Sequence, residues 1–224
     1  MLGHLILSPH GRGRPEAVSL YGLPVLRVET DRSGLWGERR LRRAGRALRR
    51  GGVFRVLAPG DLLPLLEDLG LRRVDPEPFV RAQSAPLALT ALERRGLAPD
   101  RAAVALRGLR ADRDMLRAAE ELCPKVRGLI IDAPRGGREL AQRLRREYGV
   151  PILPEGEQGQ AALIFQAGCP RREEVCLELY GPTPRLSGLT LTVPGLEEED
   201  REDLSVLTAL WERGRLRPED IKIT

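Results

Sequence analysis

The sequence predicts an α/β fold, a Rossmann-like three-layer sandwich around a mostly parallel sheet, with antiparallel strands at the N-terminus and a hairpin-helix extension at the C-terminus. Three observations carry this reading. Apolar runs of strand length recur at Val53 to Leu57, Ala102 to Leu106, Val126 to Ile131, Val150 to Leu153 and Ala161 to Phe165. None has a polar alternate face, so each reads as a strand buried on both sides, as in parallel sheets covered by helices. Between them lie segments of helical apolar period that stop at a glycine followed by an aliphatic residue: Gly70-Leu71, Gly96-Leu97, Gly149-Val150, and Gly214 with Leu216. Glycine takes the left-handed position after a helix without a Cβ penalty.

Taken in order, residues 2 to 30 hold His4 to Leu7, Ala17 to Leu20 and Pro24 to Glu29, joined by turns too short for a helical crossover. Antiparallel pairing, as a β-meander, is expected there. An Arg-rich helix follows, with Leu41, Ala44 and Leu48 as its apolar stripe. Asp61, Ser84 and Asp112 are expected helix starts, each ahead of an apolar-periodic stretch, and Gly137 to Tyr148 reads as another helix. The runs from Val53, Ala102, Val126 and Val150 are expected in one sheet, mutually parallel. Beyond Gly168, Val175 to Tyr180 and Leu189 to Val193 flank Gly181-Pro182-Thr183-Pro184 as a hairpin. A helix from Glu198 to Arg213 and an edge strand at Ile221 to Thr224 complete the chain. Residues 1–168 are therefore expected as one α/β domain, and 169–224 as an extension packed on it.

Composition bounds the rest. At 224 residues, with 42% hydrophobic residues and 24 Gly beside 18 Pro, the chain is long and apolar enough for a globular core and far from low-complexity or collagen-like sequence. No apolar run approaches the ~18 residues of a membrane span. Three cysteines, Cys123, Cys169 and Cys176, contain no C-x-x-C pair and form neither a disulfide framework nor a zinc knuckle, so a reducing, cytoplasmic home is expected.

A net charge of +5 invites a nucleic-acid reading. Only Lys125 and Lys222 are lysines, so the 37 basic residues are almost all arginine, as GC-rich coding would produce. Position is more informative than the total. Between Trp36 and Arg50 stand Arg39, Arg40, Arg42, Arg43, Arg46, Arg49 and Arg50 against one acid, Glu38, while Glu197 to Asp203 is strongly acidic. The two patches are candidates to face each other. Against nucleic acid as a partner, the chain has only eight aromatic residues, too few for single-strand stacking platforms.

Known catalytic signatures are absent. There is no Gly-Lys dipeptide and so no P-loop, no complete G-x-G-x-x-G, no G-x-S-x-G elbow and no His-x-x-x-His pair. No cofactor or metal is indicated. What remains is the carboxyl edge of the expected parallel strands, where open α/β sheets bind ligands. Arg107-Gly108-Leu109-Arg110 follows one strand, and Asp132-Ala133-Pro134-Arg135-Gly136-Gly137 follows another. Gly136-Gly137 opens a helix whose backbone N–H groups can approach an anion, with Arg135 as a bidentate donor. Asp132 stands 24 residues after Gly108, near the spacing of a dinucleotide fold's ribose-binding acid.

The site expected from sequence is thus Arg107, Gly108, Arg110, Asp132, Arg135, Gly136 and Gly137, holding a small anion such as a nucleotide or a phosphorylated or carboxylated metabolite. Whether the protein is an enzyme stays open. Were there a reaction, Asp132 or His10 would carry the proton and Arg135 would stabilise charge. The alternative is a non-catalytic interaction module. In that reading the Arg-rich helix docks an acidic partner, a nucleic acid, or the acidic C-terminal helix of a second copy in a homo-oligomer.

Overall fold

The computed structural model describes residues 1–224, which divide into two compact units. The first comprises Met1–Asp75 and Gly195–Asp220, the second Pro76–Pro194 and Ile221–Thr224. The chain therefore passes between units after residues 75, 194 and 220, where the sequence suggested a single boundary at 168.

The first unit opens with strands β1 (Leu2–Leu7), β2 (Arg12–Leu20) and β3 (Leu23–Thr30). Helix α1 (Gly37–Arg50), strand β4 (Arg55–Leu57), helix α2 (Leu63–Asp68) and strand β5 (Arg72–Arg73) follow, giving a sheet of order β2-β3-β1-β4-β5. β1, β3, β4 and β5 run parallel and only β2 is antiparallel. The expected meander is thus corrected. The loop after β1 passes the end of β3, where Ser8 N donates to Thr30 O at 3.0 Å, and β2 is laid down beyond β3. β3 then returns into the gap, parallel to β1. Leu5, Val28, Leu41, Ala44, Leu48, Val56 and Leu66 pack together between one face of this sheet and helices α1 and α2.

The second unit begins with α3 (Glu77–Ala82) and α4 (Ser84–Arg94), and continues as β6 (Ala103–Arg107), α5 (Arg113–Leu122), β7 (Gly128–Asp132), α6 (Gly137–Tyr148), β8 (Ile152–Leu153), β9 (Ala161–Ile164) and β10 (Cys176–Glu178). These five strands make a second, wholly parallel sheet of order β10-β9-β6-β7-β8. Renumbered from β6, that is 3-2-1-4-5, the strand order of a Rossmann sheet. The single-sheet expectation is therefore corrected: Val56 and Leu57 belong to the first sheet, while the strands near 103, 128 and 152 share the second. Local pattern did not separate them, because a short apolar run marks a parallel strand without marking its sheet.

α5 starts and α6 stops where local chemistry directs, whereas neither Asp61 nor Ser84, the other expected starts, caps a helix with its side chain. The Asp112 carboxylate accepts from Asp114 N and Met115 N to cap α5, and Met115, Ala118, Ala119 and Leu122 form its buried stripe. α6 ends at Gly149, whose φ is 65°, with its N–H bonded to Arg145 O. All of β6 is buried, and burying a residue such as Leu106 contributes roughly 1.5–3 kcal/mol.

The C-terminal expectation needs the largest revision. No hairpin joins 175–180 to 189–193. Cys176–Glu178 extends the parallel sheet beside β9, and Arg185 makes one antiparallel bridge to Glu178. Pro182 and Pro184 have no N–H to offer a ladder. β11 (Leu191–Thr192) instead pairs antiparallel with β12 (Lys222–Ile223), so the chain end is the expected strand with a different partner. Between them α7 spans only Leu204–Glu212, on the first unit. The acidic residues 197–202 precede it in turns, and Asp203 is the cap, accepting from Ser205 N at 2.7 Å and Val206 N at 3.3 Å.

Gly96 and Gly149 have φ of 69° and 65°, and a Cβ at either would meet nothing within 4 Å. Gly96→Val and Gly149→Val should therefore each cost more than ~1 kcal/mol through backbone strain alone, read as a drop in denaturation midpoint. An unchanged midpoint would disprove the left-handed caps.

Candidate functional site

At the carboxyl edge of the second sheet, β6 ends in an arginine whose side chain is 0% exposed. Arg107 Nε donates to Glu173 Oε2 at 3.1 Å, and Nη2 bonds Glu173 Oε1 to close a fork. Nη1 donates to Asp132 Oδ2 at 2.5 Å, and Nη2 also reaches Glu157 O at 3.4 Å. Asp132 is Arg107's register partner on β7, which brings the two together. Glu173, on the loop between β9 and β10, is equally buried and takes further N–H bonds from Gly159 and Arg172. Burial opposes the charged guanidinium, yet Glu173 and Asp132 outweigh it and its pKa lies above the ordinary arginine value. The same contact holds the Glu173 carboxyl below the usual range against its own burial. Arg107, expected from sequence in the ligand site, thus directs four of its five N–H donors at oxygens of the protein and has its charge paired with two carboxylates.

Gly108 also has a structural role. A Cβ there would lie 2.6 Å from Gln166 Oε1 and 2.7 Å from Met115 Cε. Gln166 fills the place at the β6–β9 switch point where a dinucleotide fold leaves a crevice. Its Oε1 accepts from Leu109 N at 2.7 Å and its Nε2 donates to Asp112 Oδ2 at 3.1 Å. The N-terminus of α5, where a pyrophosphate would sit, is already capped by the Asp112 carboxylate. Arg81 closes the neighbouring strand ends, bonding Phe165 O and, at 3.3 Å each, Leu179 O and Asp112 Oδ2. Two of the recognition points of a dinucleotide fold thus carry side chains bonded to one another or to the backbone, and Asp132, the third, is paired with Arg107.

The outer half of the predicted site is different. The loops after β6 and β7 run on side by side, with Ala111 N bonded to Arg135 O at 2.8 Å and Arg110 bridged in parallel to Arg135. Arg110 and Arg135 are exposed neighbours of like charge, and neither has a carboxylate within 4 Å. Gly136, with φ 78°, is the N-cap of α6 and offers no side-chain cap; Glu139 is the one acid in that helix's first turn. Leu109 and Pro134 are exposed and leave this rim open.

Sequence reasoning missed Glu173, Gln166 and Arg81. Glu173 lies in Arg171-Arg172-Glu173-Glu174, which reads as a solvated loop, so no local signal marks it. His10, the other proposed proton carrier, is exposed and belongs to the first unit, whereas Asp132 belongs to the second. Burial raises the pKa of all three thiols, Cys123 to about 11, so none is an activated nucleophile.

The basic and acidic patches do not meet within the chain. Gly3 and Leu5 of β1 face α1, with the Gly3 Cα beneath Val53 and Leu48. His4 and Ile6 alternate to the other face, where they line a cavity of about 610 Å³ with Tyr21, Arg27, Asp200 and Asp203. There burial lowers the His4 pKa despite nearby Asp200, and Tyr21 OH donates to Asp200 Oδ2 at 2.8 Å.

No family model and no curated protein matches this sequence. Among solved structures, the chain resembles L-tryptophan dehydrogenase from Nostoc punctiforme at 14% identity and a TM-score of 0.33, over 73% of this chain. It spans 55% of that protein's length. At that score the likeness carries no argument, and the architecture rests on the strand order above. No helix is long and apolar enough to cross a membrane.

Glu173→Gln should cost about 3 kcal/mol or more, because it leaves Arg107 buried beside a weakened partner. In the native protein Glu173 titrates lower folded than unfolded, so its contribution is present above about pH 4.3 and lost as pH falls. Arg107→Met reverses the sign: an unpaired buried Glu173 has a raised pKa, and stability should fall as pH rises from 4 to 7. Denaturant melts at both pH values check this, and parallel pH profiles for the two proteins would refute it.

Proposed function

We propose that the protein is a binding protein for a small anionic ligand, a nucleotide phosphate or a phosphorylated or carboxylated metabolite. Its site is the outer rim formed by Arg110, Arg135 and the Gly136-Gly137 opening of α6. The observation that carries the reading is the pair of bridged, unpartnered arginines beside a helix N-terminus without a side-chain cap. Like charges held on adjacent strands repel, and an anion between them converts that repulsion into two charge-assisted contacts. The helix N–H groups add to the same field. Arg107, Gly108 and Asp132 serve this rim from beneath, fixing the two loops that carry it. We assign no reaction, since buried Glu173 and half-buried Asp132 are both paired with Arg107. A cytoplasmic location belongs to the same reading and is supported by three free cysteines.

A thermal-shift series with inorganic phosphate, pyrophosphate, ATP and citrate tests the reading, since a ligand at 100 times its Kd adds ~2.7 kcal/mol. Arg135→Ala should weaken the best of these by about 10-fold or more. It should leave the unliganded melting temperature unchanged or slightly higher. If none of the four stabilises the protein at millimolar concentration, or the variant binds equally well, the rim is not a site.

A further inference from the structure

The seven arginines of α1 and its flank divide into two sets. Arg40 is held by Asp31 and Ser33 O, Arg42 pairs with Glu38 at 3.0 Å, and Arg49 lies over the Phe54 ring and donates to Val53 O. Arg39, Arg43, Arg46 and Arg50 are exposed and have no carboxylate partner. Their spacing of four, three and four residues puts them in one row along the helix, opposite the buried Leu41, Ala44 and Leu48. At 1.5 Å per residue the row is about 16 Å long. Trp36, 63% exposed, stands at its head one turn before Arg39, whose guanidinium lies 5.4 Å from the ring centroid. A concavity of about 560 Å³ opens along Trp36, Arg39, Arg40, Arg43 and Arg46.

We propose that this row docks the phosphate backbone of a double-stranded nucleic acid, without reading its sequence. Four like charges in register, unneutralised by the protein, call for a partner with a matching repeat of negative charge, and guanidinium forks suit phosphate oxygens. The other occupants fit less well. The chain's own acidic segment lies on the opposite face of the first sheet. A two-fold dimer needs both complementary patches on one surface, so this pairing gives a head-to-tail array instead. A folded acidic protein would seek apolar contacts, and along the row there are none; the exposed Leu35 and Trp36 stand only at its head. Single strands need several stacking rings, and the row has one, already covered by Arg39.

The surface lies in the first unit, so its test is independent of the anion rim. Fluorescence anisotropy with a labelled 20-base-pair duplex should show binding at 50 mM salt. Four phosphate contacts give a slope near −3.6 in log K against log salt, about a 100-fold loss by 200 mM. R39A/R43A/R46A/R50A should remove at least nine-tenths of the affinity and most of the slope. A charge-matched control, R113A/R127A/R146A/R213A, removes four exposed arginines elsewhere and should retain both. Equal loss in the control would make the effect one of net charge and overturn the proposal. So would polyglutamate competing as well as duplex at equal charge, or no binding at 50 mM salt.

Discussion

The carboxyl edge of the second sheet is organised by one buried arginine. Arg107 joins four pieces of chain: its own strand β6, Asp132 on β7, Glu173 on the β9–β10 loop, and the Glu157 carbonyl on the passage from β8 to β9. Ile130 and Ile164, which share that face with Arg107, have Leu153, Cys169, Cys176 and Tyr180 packed against them. Loops have little apolar surface with which to cover a sheet. A fully hydrogen-bonded ion network fixes their position where packing alone would leave it loose, although an apolar replacement of similar volume could match it in stability.

This constraint gives the edge contacts unlike those of a dinucleotide site with the same strand order. The acid at the end of β7 stands where such a fold keeps a ribose partner, but its charge is spent on Arg107. Gln166 and Asp112 occupy the positions of the glycine turn and the pyrophosphate. The start of α6, outward and one strand over, has no side-chain cap and is where the proposed anion rim lies. The same fold positions both arrangements; the side chains choose between them.

Charge in this protein is informative only residue by residue. Arginine is abundant throughout, and its bulk excess fits a coding bias as well as a function. Hydrogen-bond partners sort the residues: Arg81 and Arg107 are clamps, Arg40, Arg42 and Arg49 are tied to their own helix or its flanks, and Arg39, Arg43, Arg46, Arg50, Arg110 and Arg135 are left without acids. The last six form two groups, one on each unit, that differ in shape: a row along a helix and a pair beside a helix start.

Local sequence by itself determined the elements whose cause is local. The caps at Asp112 and Gly149, the stripes of α1, α5 and α6, and the doubly buried runs that become parallel strands all follow from φ preference, periodicity and apolar content within a dozen residues. Tertiary structure alone decided which sheet each strand joins, because the short apolar runs of β4 and β6 name no partner strand. It also decided that Leu191 pairs with Ile223 instead of closing a hairpin, since that choice depends on a partner thirty-two residues away. The candidate site divides in the same way. Arg110, Arg135, Gly136 and Gly137 are legible as charge and backbone freedom at a strand-to-helix turn. The fate of Arg107 is not, because Glu173 neutralises it from sixty-six residues along the chain, and burial, which makes that contact matter, is a property no single segment possesses.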